Sequence, residues 1–166
     1  MIEIRRIRPS EADVLRAVRL AALTDAPAAF GSTIERELAF TDELWAERAT
    51  ASAAGDERTT FLAWDDSEPV GIVGGFRVPE HPGAVDLVSM WTHPSARGAG
   101  VGAALVQAVV DWSRDTGATR IELWVVRGNA PAQRLYERMG FRVTDDVQPH
   151  PNDPCAQEIR MLLPLT

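Results

Sequence analysis

A short glycine-rich run, Arg97-Gly98-Ala99-Gly100-Val101-Gly102, is the part of this chain whose residue types could do chemistry. The residues ahead of it, 85–92, are apolar and strand-like, and Pro94 stops them. Beyond it, Leu105, Val109 and Trp112 recur at helical spacing, so the glycines stand where a strand hands over to a helix. Backbone N–H groups are unpaired at such a junction, and the helix dipole presents its positive end there. Glycine also lets the backbone turn left-handed and lets a ligand come close to it. The expected ligand is an anion, a phosphate or a pyrophosphate. The bland alternative for a glycine cluster taken alone is a tight turn that binds nothing.

Three ligand classes compete for such a loop. A nucleoside-triphosphate P-loop needs G-x-x-x-x-G-K-[ST], and this chain contains no lysine. A dinucleotide fingerprint is matched in letters by Gly98, Gly100 and Ala103. It also demands a loop directly after the first strand of a βαβ unit, with an acid about 20 residues on at the end of the next strand. Here residues 93–97 intervene, Glu122 lies inside a strand, and too little chain follows for a doubly wound domain. The third class is the pyrophosphate of coenzyme A. The run from Arg97 resembles the R/Q-x-x-G-x-G/A signature of the GNAT superfamily of acyl-CoA-dependent N-acyltransferases, and Met90-Trp91-Thr92-His93-Pro94 resembles the strand that precedes that loop.

A second stretch carries the same resemblance. Residues 129–141 match the GNAT pattern N-x-x-A-x-x-x-Y-x-x-x-G-F through Asn129, Ala132, Tyr136, Gly140 and Phe141. Read locally, Asn129 is a helix N-cap and Tyr136 packs a core. The resemblance implies more. Acetyl-CoA, with no metal, would be held by Met90, Trp91, Thr92, Arg97, Gly98, Ala99, Gly100, Val101, Gly102, Ala103, Asn129 and Tyr136. Strands over residues 86–92 and 121–126 would splay at a bulge to admit pantetheine, and Tyr136 would protonate the leaving thiolate. Asp86 is the expected general base, with Glu35, Glu37, Glu122 or a water chain as alternatives. Phe30, Glu35 and Trp124 are expected around the acceptor, with Trp91 as a further wall of the pocket and residues 145–154 as a loop opposite. The implied activity is transfer of an acetyl group to a primary amine, on a small molecule or a peptide, in a ternary complex. A non-catalytic acyl-CoA sensor on the same fold is the alternative, and a homodimer stays open.

The elements that must position these residues follow from pattern. The 166 residues, 45% hydrophobic and 25% charged, have the size and balance of one globular domain, taken as residues 1–166. A net charge of −7 argues against nucleic acid as partner. No apolar run reaches membrane-span length and no signal segment opens the chain, so a cytoplasmic location is expected. Cys155 is the only cysteine, and His81, His93 and His150 have no metal-site spacing. Strands are expected near residues 2–8, 59–64, 70–78, 85–92, 121–126, 141–143 and 158–163. A helix should start at Ser10, with Asp13 completing a capping box, another at Thr41 or Asp42, a third after Gly102 and a fourth at Asn129. The expected fold is α/β (α+β): a mixed, mostly antiparallel, GNAT-like sheet of about seven strands with flanking helices.

Overall fold

The structure, a computed structural model, describes residues 1–165. Seven strands form one sheet: β1 (Ile2–Arg6), β2 (Arg58–Asp65), β3 (Glu68–Val78), β4 (His81–Thr92), β5 (Arg120–Val126), β6 (Arg142–His150) and β7 (Asp153–Pro164). Their order is β1-β2-β3-β4-β5-β7-β6, antiparallel throughout except for the β4–β5 pair. The one parallel pair follows from connectivity, because the link from β4 to β5 is a long crossover containing a helix. The helices are α1 (Ala12–Asp25), α2 (Ile34–Leu38), α3 (Asp42–Ala53), α4 (Val101–Asp115) and α5 (Ala130–Arg138). None is long and apolar enough to cross a membrane.

Two cores sandwich the sheet. On one face, Leu105, Val106 and Val109 of α4 and Tyr136 of α5 pack with Val85, Leu87, Ile121, Leu123 and Val125. On the other, Leu15, Val18 and Ala22 of α1 and Trp45 and Ala49 of α3 cover Leu62, Ile72 and Trp91. Leu87 and Trp91 lie in different cores, although residues four apart in a regular strand share a face. The reason is a β-bulge. Val88 pairs with Gly74 and Trp91 with Ile72, so β4 carries one extra residue, and Ser89 takes φ +59° to absorb it.

Two local expectations are corrected. Ser10 does not cap α1. A 3-10 turn, Pro9–Glu11, precedes the helix, and the carboxylate of Glu11, not of Asp13, accepts the Arg8 amide at 2.8 Å while holding Arg5 through two hydrogen bonds. Residues 145–154 are not a loop. They complete β6 and begin β7, and β6 tolerates Pro149 because it is an edge strand. The short helix α2 is capped by the hydroxyl of Thr33, which accepts from the Arg36 amide at 3.2 Å.

Candidate active site

The site begins where the parallel ladder fails. β4 and β5 pair only through Ala84–Arg120, Val85–Ile121 and Asp86–Glu122. Beyond Asp86 the strands part, and residues 87–90 of β4 and 124–126 of β5 line a slot with Asn129, Leu135 and Tyr136. The bulge at Ser89 sits on the open edge. Backbone groups on that edge have lost their neighbouring strand, so they are available to a ligand that lies along it.

The glycine run borders the slot through Gly102, where an added Cβ would meet Leu135 and Met90 of its lining at 3.1 and 3.3 Å. Gly98 and Gly100 are both left-handed, with φ of +82° and +80°, and Gly100 is the N-cap of α4. A Cβ added at either would meet nothing within 4 Å, so both backbones face open space. Among the described residues, no amide from Gly98 to Ala103 donates to a backbone acceptor; the first helical bond is from Ala104 to the Gly100 carbonyl. These open amides at the positive end of a 15-residue helix fit a pyrophosphate. Arg97 is held beside them: its Nε donates to the Thr92 carbonyl at 3.0 Å and its Nη2 to Asp25 Oδ2 at 2.5 Å. Asp25 also accepts from the Trp91 indole at 2.9 Å, and these two bonds, Trp91 first and Arg97 second, hold its pKa below the usual carboxylate range.

α5 supplies the other wall. Asn129 caps it, its Oδ1 accepting from the Ala132 amide at 3.4 Å. Tyr136 packs edge-to-face on Phe141 at 5.8 Å and is 7% exposed. Burial raises its phenol pKa above the ordinary value.

On the α1 face, the slot meets a cavity of about 330 Å³ lined by Phe30, Asp86, Trp124, Glu158 and Arg19 among others. Burial pushes the Asp86 carboxyl up to about 6, with Arg160 opposing the rise and Glu158 adding to it. Arg19 and Glu37 form a buried ion pair, Nε to Oε1 at 3.0 Å and Nη2 to Oε2 at 2.5 Å, and Arg19 Nη1 donates to Ser89 Oγ at 2.7 Å. That network props up the strained bulge.

The profile of the Acetyltransferase (GNAT) family matches residues 20–141. The chain belongs to the GNAT acetyltransferase family. A mycothiol acetyltransferase from Brachybacterium faecium is 36% identical over 107 residues, 61% of this chain and 32% of that protein. The chain spans less than half the length of the first curated relatives it matches. Among solved structures, a GNAT-family acetyltransferase from Streptococcus pneumoniae has the same fold, with a TM-score of 0.84, 21% identity and full coverage of both chains. So does PaiA N-acetyltransferase from Thermoplasma acidophilum, solved in complex with coenzyme A, with a TM-score of 0.75, 17% identity and 99% coverage of each.

Against this GNAT frame, the residues singled out from sequence fall into groups. Met90, Asn129 and Tyr136 line the slot, Gly102 of the glycine run lies against its Met90 and Leu135, and Phe30, Trp124 and Asp86 line the adjoining cavity. The side chain of Trp91 turns into the α1–α3 core, 5% exposed, and walls no part of the slot. Glu35 is exposed and faces a different groove, beside His150 and Asn152. Two alternative bases are already engaged: Glu37 by Arg19, and Glu122 by Arg160 and Arg120. Sequence reading missed Asp25, Arg19 and Glu158, which have no motif around them and reach the site only through packing.

Breaking the buried Arg19–Glu37 pair has a calculable consequence. Glu37→Ala leaves a nearly buried guanidinium uncompensated and is expected to destabilise the fold by about 3–5 kcal/mol, read by denaturant unfolding. Burial alone would raise the Glu37 pKa, but the bonds and charge of Arg19 outweigh it and the net direction is down. The pair therefore contributes fully above the ordinary carboxylate pKa, near about 4.3, and its contribution fades as pH falls through the lower native value. A variant as stable as the wild type at pH 7 would contradict this.

Proposed function

We propose that the chain is an acetyl-CoA-dependent N-acetyltransferase that transfers the acetyl group directly to a primary amine. The observation that carries this reading is the slot that opens beyond Asp86–Glu122, with the glycine run and the open amides of residues 98–103 bordering it and Tyr136 along one wall. The glycine amides and the α4 dipole hold the pyrophosphate, Arg97 adds a positive charge, and the free edge of β4 at residues 87–90 runs along pantetheine. The coenzyme A in the Thermoplasma acidophilum relative of the same fold supports this choice of cosubstrate.

Acetyl-CoA supplies the thioester. The amine nitrogen forms a bond to the carbonyl carbon, the carbon–sulfur bond breaks, and the thiolate takes the proton of the Tyr136 hydroxyl. The amine arrives mostly protonated and must lose a proton to attack, because its pKa is near about 10. Asp86 receives the proton the ammonium gives up before attack, and the second proton, shed by the nitrogen once the C–N bond has formed, restores the Tyr136 hydroxyl through solvent. A carboxylate poised at about 6 is ionised at pH 7 yet basic enough to take part. Backbone N–H groups at the bulge stabilise the charge that develops on the carbonyl oxygen.

Calorimetry with acetyl-CoA, coenzyme A and NAD, together with thiol release over a panel of amines, tests the reading. Micromolar binding of the coenzyme and thiol release with at least one amine are expected. Tighter binding of NAD would overturn it; acetyl-CoA binding with no thiol release from any amine would leave a sensor module.

Asp86→Asn separates the base from the fold. The raised pKa means that ionised Asp86 is disfavoured in the native state, so this residue lowers stability as pH rises from the ordinary carboxylate value toward 6. The amide removes that penalty, and at pH 7 the variant is expected to be more stable by on the order of 1–3 kcal/mol. The gain should disappear below about pH 4, where the native acid is protonated in both states. The acid limb of the rate profile near pH 6 should vanish with it. A destabilised variant, or an unchanged acid limb, would remove Asp86 from this role.

A further inference from the structure

A second cavity, of about 240 Å³, adjoins the acceptor side of the slot on the α1–α3 face. Its walls include Arg19, Trp45, Arg48, Arg58, Thr60 and Phe76, and no carboxylate among the described residues lines it. The cavity that holds Asp86 and Glu158 shares Arg19, Val88 and Ser89 with it. The two therefore form one bipolar site, acidic beside the slot and basic away from it.

The basic end has more charge than its neighbours neutralise. Arg19 is taken up by Glu37. Arg48 and Arg58 make no ion pair among the described residues, in a protein whose net charge is −7. Arg48 is half-buried, with its guanidinium 4.6 Å from the Phe40 ring centre and 6.0 Å from that of Trp45. Burial lowers its pKa; Glu37 opposes that, and the like charges of Arg19 and Arg58 add to it. The indole N–H of Trp45, 2% exposed, has no partner among the described residues. A half-buried cation without a counter-ion and a buried donor without an acceptor are both costly unless a ligand completes them.

Sheet register supplies a ruler. Asp86 pairs with Phe76, and Phe76 with Arg58, so acid and base stand in one row on three adjacent strands. Two strand spacings put their backbones roughly 10 Å apart.

Resting on the acetyltransferase reading above, we infer that the acceptor is a dipolar small molecule: its primary amine sits at Asp86 and Glu158, and a carboxylate or phosphate-type anion several bonds away sits at Arg48 and Arg58. The amine end meets the thioester while the anion end anchors the molecule. A simple alkylamine lacks the anchor, and a diamine brings a second cation to the arginines.

The test compares acceptors of one length with different ends: 5-aminovalerate, n-pentylamine and 1,5-diaminopentane, with 4-aminobutylphosphonate to separate carboxylate from phosphate chemistry. Thiol release gives kcat/KM, and calorimetry on the coenzyme A complex gives affinity without turnover. The two anionic amines should exceed pentylamine and the diamine by at least about tenfold in kcat/KM. Whichever anionic amine is preferred names the anion. The double variant R48E/R58E should reverse the order in favour of the diamine and weaken 5-aminovalerate binding by at least about tenfold. R48Q/R58Q, which keeps the side-chain length, should abolish the preference without reversing it and guards against misfolding of the charge-reversed protein. A diamine favoured by the wild type, or an order unchanged in both variants, overturns the proposal while the acetyltransferase reading stands. Should no amine release thiol, that reading fails, and calorimetry still decides this one: 5-aminovalerate binding lost in both variants supports the anion subsite, and equal binding refutes it.

Discussion

Tyr136→Phe is expected to lower kcat by roughly 10²–10³ with folding and coenzyme affinity nearly unchanged. The ring stays in the α4–α5 core and keeps its edge-to-face contact with Phe141 at 5.8 Å. The hydroxyl makes no hydrogen bond to another described residue, so the variant orphans no buried partner and its stability should change by less than about 1 kcal/mol. What disappears is the proton for the leaving thiolate. A general acid must be protonated, so activity is present below its pKa and lost as pH rises through it. Burial places the Tyr136 pKa above the ordinary phenol value of about 10, which puts the alkaline limb of the wild-type profile above that pH. The limb should be absent in the Phe variant. Thiol release measured across pH, with calorimetry of coenzyme binding, checks both halves. Wild-type turnover would make Tyr136 a packing residue, and loss of coenzyme binding would make its role structural.

Substitution at Gly100 should act on the coenzyme more than on the fold. A Cβ added there meets nothing within 4 Å, so the first atom of a side chain has little steric cost inside the protein. The cost that remains is the left-handed φ of +80°, which asparagine and aspartate tolerate better than other L residues. Gly100→Asn and Gly100→Asp have nearly the same shape and differ by one charge. The Asn variant narrows the approach to the open amides and should weaken coenzyme A by about tenfold, or 1.4 kcal/mol. The Asp variant adds an anion where phosphate should lie and should weaken it by more than about 100-fold. Both should melt within a few degrees of each other. Calorimetric titration with coenzyme A reads the difference, and equal, wild-type affinities in the two variants would remove the glycine run from pyrophosphate binding.

The sequence determined what was local. Asn129 caps α5, Thr41 caps α3 and Gly117 turns left-handed just past the end of α4, because each depends on a side chain or a φ angle within a few residues. The glycine run lies between strand and helix for the same reason. The approximate places of the seven strands were legible from alternation and turn residues, except across residues 144–157, where β6 carries Pro149 and too many charges to read as a strand and β7 begins five residues before the stretch expected. Edge strands escape that reading because one side of their backbone faces water.

Only the tertiary structure decided the rest. The side of the sheet to which Trp91 points depends on the Ser89 bulge, one extra residue that inverts every later side chain and leaves no mark in the hydrophobic pattern. Glu37 and Glu122 read as free carboxylates in the chain. Folding brings Arg19 to one and Arg160 to the other, and leaves Asp86 as the carboxylate pushed up by burial. The pairing of acidic and basic cavities is likewise a matter of register across β2, β3 and β4, which joins residues 28 positions apart into one row. Charges acquire partners and shifted pKa values from whichever elements pack beside them, and that information is non-local. Motif spacing determines where an anion and a helix meet; long-range packing decides which carboxylates are left to act.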